Sequence, residues 1–327
     1  MLRTRIVGTG AYAPEKVLTN LELESMVETS DAWIRERTGI VERRIAAPEQ
    51  ASSDLATAAA ERALENAGIT ADQLDLIIVA TVTPDTPLPS CAAYVQAKLG
   101  AKNAFAFDLV AACAGSLYGL SVADQFIQTG KVKHALVIGV ELLSRIVDWS
   151  DRNTCVLFGD AAGAMVLAPG NEGDRGVLST HLYLDGDAAG ILHIPGGGSR
   201  MPASPEVLEQ KLNKVHMNGR EVYRFAVRAL QDSVRTALQA NGLTAADVNH
   251  VVAHQANLRI IEAVLSRLDI PLERCHLNLD RYGNTSSASV PMTLDEANRA
   301  GALKPGDVIA MMAIGAGMAW GSAIVRW

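Results

Sequence analysis

Residues 104–120 read Ala-Phe-Ala-Phe-Asp-Leu-Val-Ala-Ala-Cys-Ala-Gly-Ser-Leu-Tyr-Gly-Leu and pass from a strand-like run straight into a helix of small and apolar residues. Cys113 lies where the helix is predicted to begin. The free N–H groups and positive dipole end of a helix N-terminus stabilise a thiolate, so this context predicts a nucleophile. The alternative is a buried core cysteine, which we predict for Cys91, Cys155 and Cys275.

Strands and helices alternate on both sides of this stretch. Upstream, residues 76–80 (Leu-Ile-Ile-Val-Ala) form an apolar strand, a turn-rich loop covers 84–89, and a helix begins near residue 90. Further strands are predicted at 135–140, 251–253, 275–278, 308–313 and 323–327, with a helix at 258–268. This pattern is typical of α/β proteins whose sheets are covered on both faces.

The order of elements predicts an internal duplication. The strand end at Ala80 precedes Cys113 by 33 positions, and His254 precedes Asn284 by 30. We predict two halves, 1–172 and 173–327, that join at a polar seam around 170–174. The first half carries Cys113, and the second carries His254 and Asn284. Cys113 and Asn284 would then lie on equivalent helix starts that face each other.

His254 and Asn284 are the predicted partners of Cys113. His254 ends the strand of Val-Val-Ala-His-Gln-Ala-Asn, and Asn284 lies in Gly-Asn-Thr-Ser-Ser-Ala-Ser-Val-Pro. A neutral imidazole and an amide can each donate a hydrogen bond to a developing oxyanion. Each also has an ordinary structural interpretation, as a core histidine or as a turn residue. Together with Cys113, they predict one active site.

Composition excludes several classes of protein. Of 327 residues, 49% are hydrophobic, and the formal net charge is −7, which argues against nucleic-acid binding. Four dispersed cysteines do not form a disulfide framework. The chain begins directly with a strand, and charged or glycine residues interrupt each apolar run before it reaches membrane-spanning length. We expect a cytoplasmic protein that binds neither membrane nor metal.

A glycine pair near the N-terminus resembles a dinucleotide-binding turn. Gly8 and Gly10 follow a strand, and Asp31 comes about 20 residues later. Pro14 falls in the first turns of the required helix, however, and a loop sequence follows it. We therefore predict no nucleotide site there.

Several long motifs make the chain resemble the β-ketoacyl-[acyl carrier protein] synthase III family of condensing enzymes. They are the Cys113, His254 and Asn284 segments, Thr-Ser-Asp-Ala-Trp-Ile-Arg-Glu-Arg-Thr-Gly-Ile at 29–40, and Leu-Phe-Gly-Asp-Ala-Ala-Gly-Ala at 157–164. The resemblance runs nearly end to end. It implies a five-layered αβαβα thiolase-like fold with an internal duplication, and a homodimer. It also implies condensation of an acyl-CoA primer with malonyl-acyl carrier protein, which initiates type II fatty acid synthesis without a cofactor.

The resemblance also assigns roles to individual residues. Cys113 becomes acylated, His254 and Asn284 stabilise the enolate, and the backbone N–H groups of Cys113 and Ala316 form the oxyanion hole. The implied coenzyme A contacts are Thr29, Trp33, Arg37, Arg152 and Ala256, with Trp33 and Arg152 sandwiching the adenine. The implied acyl pocket contains Leu88, Ile314 and Met318, with Leu88 reaching across the dimer.

The chain departs from the family pattern around this pocket. The family usually carries Phe-Gly-Gly-Gly-Phe-Thr-Trp, where this chain has Ile-Gly-Ala-Gly-Met-Ala-Trp at 314–320. Ala316 therefore replaces the glycine that supplies the oxyanion-hole N–H. The phenylalanines become Ile314 and Met318, and Asn153 stands where a glycine commonly follows the matched arginine.

A basic stripe predicts the surface for the carrier protein. Arg220, Arg224 and Arg228 recur at four-residue spacing on a predicted helix over 219–239, opposite an apolar face. Arg259 and Arg267 add positive charge beside the His254 strand end. A basic patch on an acidic protein attracts an acidic partner, and the resemblance assigns Arg224, Arg259 and Arg267 to acyl carrier protein. An ordinary solvated face is the alternative.

Three other functions stay open at this point. A specialised relative in secondary metabolism would condense or transfer unusual acyl groups. A papain-like cysteine hydrolase shares the chain order Cys, His, Asn, but no Cys-Gly-Ser-Cys-Trp signature surrounds Cys113. A non-catalytic subunit on the same fold would not need all three polar residues.

Overall fold

The computed structural model describes residues 3–170 and 175–327. Its strands are β1 (Arg3–Tyr12), β2 (Lys16–Thr19), β3 (Glu42–Ile45), β4 (Leu76–Ala80), β5 (Phe105–Leu109), β6 (Ala135–Leu142), β7 (Asp160–Gly170), β8 (Gly176–Leu184), β9 (Leu192–His193), β10 (His216–Met217), β11 (His250–Ala253), β12 (Val308–Gly315) and β13 (Ala319–Arg326). Its helices are α1 (Asn20–Glu24), α2 (Asp31–Thr38), α3 (Ser52–Ala67), α4 (Cys91–Leu99), α5 (Gly115–Gln128), α6 (Pro205–Glu209), α7 (Gly219–Ala240), α8 (Leu258–Leu268), α9 (Leu279–Tyr282) and α10 (Ser289–Arg299).

Two large sheets share one topology. The first has the order β1-β7-β6-β4-β5, and the second has the order β8-β13-β12-β11. In both, the first two pairings are antiparallel and the pairing after them is parallel. In the second sheet, a single parallel bridge from Val251 to Cys275 stands where β5 pairs with β4 in the first. This repeated order is what an internal duplication produces.

Helices cover and separate the sheets in five layers. A central hydrophobic cluster joins α5 and α10 to the inner faces of both sheets, with Leu117, Leu120, Val290 and Leu294 at its centre. The outer face of the first sheet packs against α3 and α4. The outer face of the second sheet packs against α7 and α8. The α/β fold and its αβαβα layering are therefore confirmed.

Most predicted elements are present, and two predictions are wrong. Residues 275–278 do not form a strand, because only Cys275 makes a bridge and the chain then turns into α9. Asn284 does not open a helix either, since a 3₁₀ turn (Ser286–Ala288) intervenes before α10. The predicted boundary between residues 172 and 173 lies outside the described residues.

The glycine pair near the N-terminus serves helix packing. A Cβ atom at Gly8 would lie 2.4 Å from the Ala63 carbonyl oxygen, and one at Gly10 would lie 2.2 Å from that of Ala59. Both carbonyls belong to α3, and β1 continues to Tyr12 without a following helix. The strand–turn–helix arrangement of a dinucleotide site is absent at this point, as predicted.

Two matching turns lie at the centre of the molecule. The 3₁₀ turn Ala112–Ala114 leads into α5, and Ser286–Ala288 leads into α10. Each begins with a residue in the left-handed region, at φ 45° for Ala112 and 49° for Ser286. A Cβ at Gly139 of β6 would lie 2.1 Å from the Ser287 carbonyl oxygen. Glycine at 139 therefore lets the second turn lie directly against β6.

Candidate active site

The three predicted catalytic residues line one cavity of ≈ 150 Å³. Cys113 comes from the turn before α5, His254 from the end of β11, and Asn284 from the segment before the second turn. They belong to different halves of the duplicated fold. The packing of the two central turns is therefore what brings them together.

The Cys113 side chain is buried, with 7% of its residue surface exposed, and its sulfur is a protonated thiol at rest. Burial raises the pKa of its thiol to about 12, and the charge of Glu141 adds to the rise, while a hydrogen bond with Ser286 opposes it. The helix start was expected to stabilise a thiolate. Desolvation outweighs it, so the resting sulfur is protonated and the thiol must lose its proton when it reacts.

His254 is neutral and fixed in orientation. Burial lowers the pKa of its imidazole to about 3. Its backbone N–H donates to the Met312 carbonyl at 2.7 Å, and its Nδ1 lies 2.7 Å from Ser289 Oγ. Nδ1 is thereby engaged, which leaves Nε2 for the cavity.

Ser289 sets which nitrogen of His254 carries the proton. Its Oγ donates to the Ser286 carbonyl oxygen at 2.8 Å, and that carbonyl also accepts from the Ser289 backbone N–H. The hydroxyl proton can therefore turn to His254 Nδ1 without leaving the carbonyl unpaired. In that arrangement Nε2 carries the imidazole proton and is a donor.

Asn284 presents its amide nitrogen to the cavity because its oxygen is already engaged. Asn284 Oδ1 accepts from the Ser286 N–H at 2.9 Å. Its backbone N–H donates to Leu157 at 2.8 Å, and its carbonyl accepts from Gly159 at 3.0 Å. This double anchoring leaves the two Nδ2 protons as donors toward Cys113 and His254.

The predicted oxyanion-hole backbone also lies beside the nucleophile. A Cβ at Gly315 would lie 2.4 Å from the Cys113 nitrogen, so the end of β12 touches the Cys113 backbone. The turn uses the N–H groups of Ala114 and Gly115 for its own hydrogen bonds. Ala316 has no positive φ, whereas Gly317 has φ 133°. An alanine at 316 is therefore compatible with this backbone conformation.

Two of the three predicted acyl-pocket residues line the cavity. Ile314 and Met318 are 5% and 1% exposed and contact it directly. Leu88 is 87% exposed and does not line the cavity of its own chain. A role for Leu88 in the pocket therefore requires a second copy of the chain.

The predicted coenzyme A residues form a separate group at α2 and the 149–153 loop. The guanidinium carbon of Arg152 lies 5.1 Å from the Trp33 ring centroid, and that of Arg37 lies 5.9 Å away. Arg152 thus covers the indole directly and leaves no space for a base between them, so the expected sandwich requires Arg152 to move. Thr29 Oγ1 is buried without a hydrogen-bond partner in the described chain, and Ala256 lines the cavity.

The predicted carrier-protein arginines are exposed beside the cavity. Arg224 follows Tyr223 on α7, and Arg259 precedes Ile260 on α8, and both neighbours line the cavity. Arg267 lies further along α8, and Arg220 and Arg228 share the exposed face of α7. Arg224 and Arg259 are thus exposed cations next in sequence to residues that line the cavity.

Three polar residues at the site were not assigned from the sequence. Glu141 is fully buried on β6, and Ser286 and Ser289 lie in the second turn and at the start of α10. A glutamate at the end of the otherwise apolar run Ala-Leu-Val-Ile-Gly-Val-Glu was a usable signal. Ser286 and Ser289 lie in the same Gly-Asn-Thr-Ser-Ser-Ala-Ser-Val-Pro motif as Asn284.

Within residues 3–170 and 175–327, no group of three or more His, Cys, Asp or Glu side chains is placed to hold a metal ion. Of the helices that the structure describes, none has the length and apolar character needed to cross a membrane.

Comparison with known proteins shows the family to which the chain belongs. Models for 3-oxoacyl-[acyl-carrier-protein] synthase III match residues 107–186, and models for its C-terminal part match residues 238–327. The chain is 56% identical to β-ketoacyl-[acyl-carrier-protein] synthase III of Symbiobacterium thermophilum over 322 residues, covering 98% of this chain and 97% of that protein. The chain belongs to the β-ketoacyl-[acyl-carrier-protein] synthase III family.

Other relatives agree with this assignment. The Caldanaerobacter subterraneus synthase III is 53% identical, with 98% of this chain and 97% of that protein covered. The crystal structure of the Aquifex aeolicus synthase III has a TM-score of 0.92 and 46% identity, and 99% of this chain and 100% of that chain are covered. A priming β-ketosynthase from a polyketide pathway has a TM-score of 0.91 but lower identity, 35%, with 99% and 96% covered.

The chain is therefore a condensing enzyme of the type that initiates type II fatty acid synthesis. The specialised relative in secondary metabolism is not favoured.

Proposed function

We propose that Cys113, His254 and Asn284 carry out the condensation in two half-reactions on the cavity they share. The observation that supports this most directly is their convergence on one site from two halves of the chain. In the first half-reaction, the Cys113 sulfur attacks the carbonyl carbon of an acyl-CoA thioester as its proton departs. The carbon–sulfur bond to coenzyme A then breaks, which leaves an acyl-enzyme. One thioester is exchanged for another, so a thiol suits the step.

The second half-reaction uses the two fixed donors. Malonyl-acyl carrier protein loses CO₂, and negative charge develops on the thioester oxygen of the resulting enolate. Asn284 Nδ2 and His254 Nε2 donate to that oxygen, and neither residue changes its charge near neutral pH because the pKa of His254 is about 3. Preorganised donors in a water-poor cavity need no reorganisation as the charge appears.

Carbon–carbon bond formation completes the cycle. The enolate carbon attacks the acyl-cysteine carbonyl, and the backbone N–H groups of Cys113 and Ala316 receive the tetrahedral oxyanion. Collapse of this intermediate releases the β-ketoacyl-acyl carrier protein and returns Cys113 as the leaving group. Ile314 and Met318 form the wall against which the acyl chain packs.

The surfaces around the cavity support two further parts of the proposal. The coenzyme A group uses Thr29, Trp33, Arg37, Arg152 and Ala256, with Arg152 moving off the indole face when the adenine binds. A planar guanidinium and an indole both stack on a purine. The exposed Arg224, Arg259 and Arg267 attract the acidic carrier protein that delivers the malonyl group.

The exposed edge of the first sheet supports a homodimer as a further part of the proposal. Strand β5 lies at that edge, with Phe105 44% exposed and the following Val110 75% exposed. Apolar side chains on an open strand edge favour pairing with a second chain. The same contact would bring Leu88 toward the partner's acyl pocket. Sedimentation equilibrium that found only monomers would contradict this part of the proposal.

The test of the proposed chemistry is Cys113→Ser. Intact-protein mass spectrometry after incubation with a mixture of acyl-CoAs should show one acyl adduct on the unmodified enzyme and none on the variant. Ser287→Ala, in the neighbouring turn, is the control that should keep its adduct. An adduct of equal yield on Cys113→Ser would overturn the assignment of the nucleophile.

A further inference from the structure

The proposed mechanism leaves one proton without a destination. Cys113 is a thiol at rest, and it must lose its proton to attack and regain one when it leaves the tetrahedral intermediate. His254 has Nδ1 engaged with Ser289, and its Nε2 is assigned as a donor. The structure places another ionisable group behind the sulfur.

That group is Glu141, which is buried within a cage of neutral donors. Its Oε2 accepts from Thr83 Oγ1 at 2.8 Å and from the Val82 N–H at 3.1 Å. Its Oε1 accepts from Ser286 Oγ at 3.1 Å and from Ser287 Oγ at 3.2 Å. No cation forms a salt bridge with it among the ion pairs of the described residues, so its ionised form depends on these hydrogen bonds.

Ser286 connects this carboxylate to the nucleophile. Ser286 Oγ donates to Glu141 Oε1 at 3.1 Å, and the same hydroxyl interacts with the Cys113 sulfur and lowers the pKa of that thiol. While the Ser286 proton is directed to Glu141, the Ser286 oxygen can accept a proton from the thiol, which gives a two-step path from Sγ to Oγ to Oε1. Asn284 Oδ1 holds the Ser286 backbone, and Gly139 lets the turn approach β6. These contacts hold Ser286 in place against the strand that carries Glu141.

We propose that Ser286 relays the Cys113 proton to Glu141 during acylation and returns it during condensation. As the Cys113 sulfur bonds to the acyl carbon, its proton moves to Ser286 Oγ and the Ser286 proton moves to Glu141 Oε1. The departing coenzyme A thiolate takes a proton from water. When the tetrahedral intermediate expels the Cys113 sulfur, the same two transfers run in reverse. Over the cycle one solvent proton is consumed, by coenzyme A. This inference rests on the acyl-cysteine mechanism proposed above.

The electrostatics of the carboxylate suit this exchange. Burial raises the pKa of Glu141 to about 7, against the lowering effect of hydrogen bonds from Thr83, Val82, Ser286 and Ser287. A base that titrates near the working pH can both accept and return a proton. Protonation of Glu141 also removes the charge that raises the pKa of Cys113.

Other ionisable groups on the elements packed around Glu141 are turned to other partners. The Asp160 carboxylate on β7 accepts from Ala46 and Ser144, and Asp124 on α5 accepts from Gln125 and Gln128. Tyr118 of α5 donates to the Tyr183 carbonyl. The remaining charged side chains on α3 and α10 are exposed or paired with one another: Asp54 with Lys98, Asp295 with Arg299, Glu296 with Arg281, and Glu61, Arg62 and Glu65 at the surface. Cys113 is the titratable group whose pKa responds to Glu141.

Three variants separate a relay from a structural role. Glu141→Gln keeps the shape of the side chain and removes the proton acceptor. Ser286→Ala breaks the path, and its backbone is compatible with alanine because Ala112 holds φ 45° at the matching position of the first turn. Ser287→Ala is the matched control, since it loses a 3.2 Å contact with the same oxygen, Glu141 Oε1, but lies outside the path.

The measurement is the single-turnover rate of Cys113 acylation by acetyl-CoA and isobutyryl-CoA, from about pH 5 to about pH 9. Without the relay, general-base assistance of about 10²- to 10⁴-fold is lost. We expect the unmodified enzyme to gain rate through an ionisation near pH 7, and Ser287→Ala to keep that ionisation at a higher pH, because it loses a hydrogen bond that lowers the pKa of Glu141. Glu141→Gln and Ser286→Ala should lose that ionisation and acylate at least about 10²-fold more slowly at neutral pH.

Two other outcomes would overturn the relay. One is an unchanged pH profile in Glu141→Gln, and the other is equal damage in Ser286→Ala and Ser287→Ala. Alkylation of Cys113 by iodoacetamide, followed by peptide mass spectrometry, gives the same pH profile without any coenzyme A contact. Circular dichroism and thermal unfolding show whether Glu141→Gln and Ser286→Ala fold. If one of them does not fold, the alkylation profile of the other tests the relay. If the unmodified enzyme accepts no acyl group from any acyl-CoA, the proposed function fails instead.

Discussion

Removal of the Asn284 amide tests the division of labour between the two half-reactions. Asn284 has two functions in the structure. Its Oδ1 accepts from the Ser286 N–H at 2.9 Å, and its Nδ2 points into the cavity that Cys113 and His254 also line. Asn284→Ala removes both functions. Asn284→Asp keeps an oxygen for the Ser286 N–H and replaces the donor with a negatively charged acceptor. Both variants therefore lose the Nδ2 donor, but only Asn284→Ala loses the acceptor for the Ser286 N–H.

The expected magnitudes follow from these contacts. Loss of one preorganised donor to a developing oxyanion costs about 10²- to 10³-fold in rate, or about 2.7–4 kcal/mol. Asn284→Ala should lose at least this much in decarboxylation, and the loosened Ser286 N–H adds a cost of about 1 kcal/mol in stability. Asn284→Asp keeps the contact with the Ser286 N–H but buries a carboxylate without a cation, which itself lowers stability, and it should be as slow or slower because a carboxylate repels the enolate charge.

The assay follows both half-reactions on one preparation. Mass spectrometry reports the acyl adduct on Cys113, and radiolabelled malonyl-acyl carrier protein reports CO₂ release. We expect both variants to form the adduct and to release CO₂ at least about 10²-fold more slowly. Loss of the adduct with CO₂ release intact would reverse the assigned roles and refute the mechanism.

The remaining predictions concern the surfaces around the cavity. Arg224→Glu and Arg259→Glu should each raise KM for malonyl-acyl carrier protein about fivefold, the equivalent of about 1 kcal/mol, with the effect shrinking at high salt. Acylation by acyl-CoA should be unaffected, and Lys131→Glu, after α5, is the control; equal damage to both half-reactions would indicate a different docking face. At the proposed dimer contact, Leu88→Phe should shift primer preference toward short acyl chains because a ring fills more of the pocket than a leucine. Competition among acyl-CoAs of rising length and branching measures this, and a strictly acetyl-specific enzyme that the substitution does not change would contradict it.

Most of the fold could be predicted because its signals are local. The apolar run 76–80 and the helix 258–268 have the bounds that the hydrophobic pattern predicts. The strand at 275–278 failed for a tertiary reason. Cys275 makes a bridge with Val251, but the Asn278 N–H is taken by the Gln255 side chain and α9 follows at once. A short apolar run does not reveal that a side chain will replace the strand partner.

The site was predictable in its members but not in its electrostatics. The sequence places Cys113 before a helix, which favours a thiolate, yet the sulfur is buried against the second half of the chain and keeps its proton. Burial of this kind arises from the packing of two turns that are about 170 residues apart in the sequence, so no local pattern records it. The position of Trp33 under Arg152 is likewise a tertiary contact that motif spacing does not contain.

The duplication explains how one site acquires two kinds of chemistry. Each half contains a 3₁₀ turn whose first residue has a left-handed backbone conformation. That residue is Ala112 in the first half and Ser286 in the second. The two turns lie close together, since a Cβ at Gly115, directly after the first turn, would lie 3.6 Å from the Ser287 Cβ of the second. The turn of the first half carries the nucleophile, and the turn of the second half carries Ser286 and Ser287, whose hydroxyls donate to the buried carboxylate of Glu141. The two turns therefore carry different chemistry, and Glu141, on the strand against which the second turn packs, is the residue through which that difference can be tested.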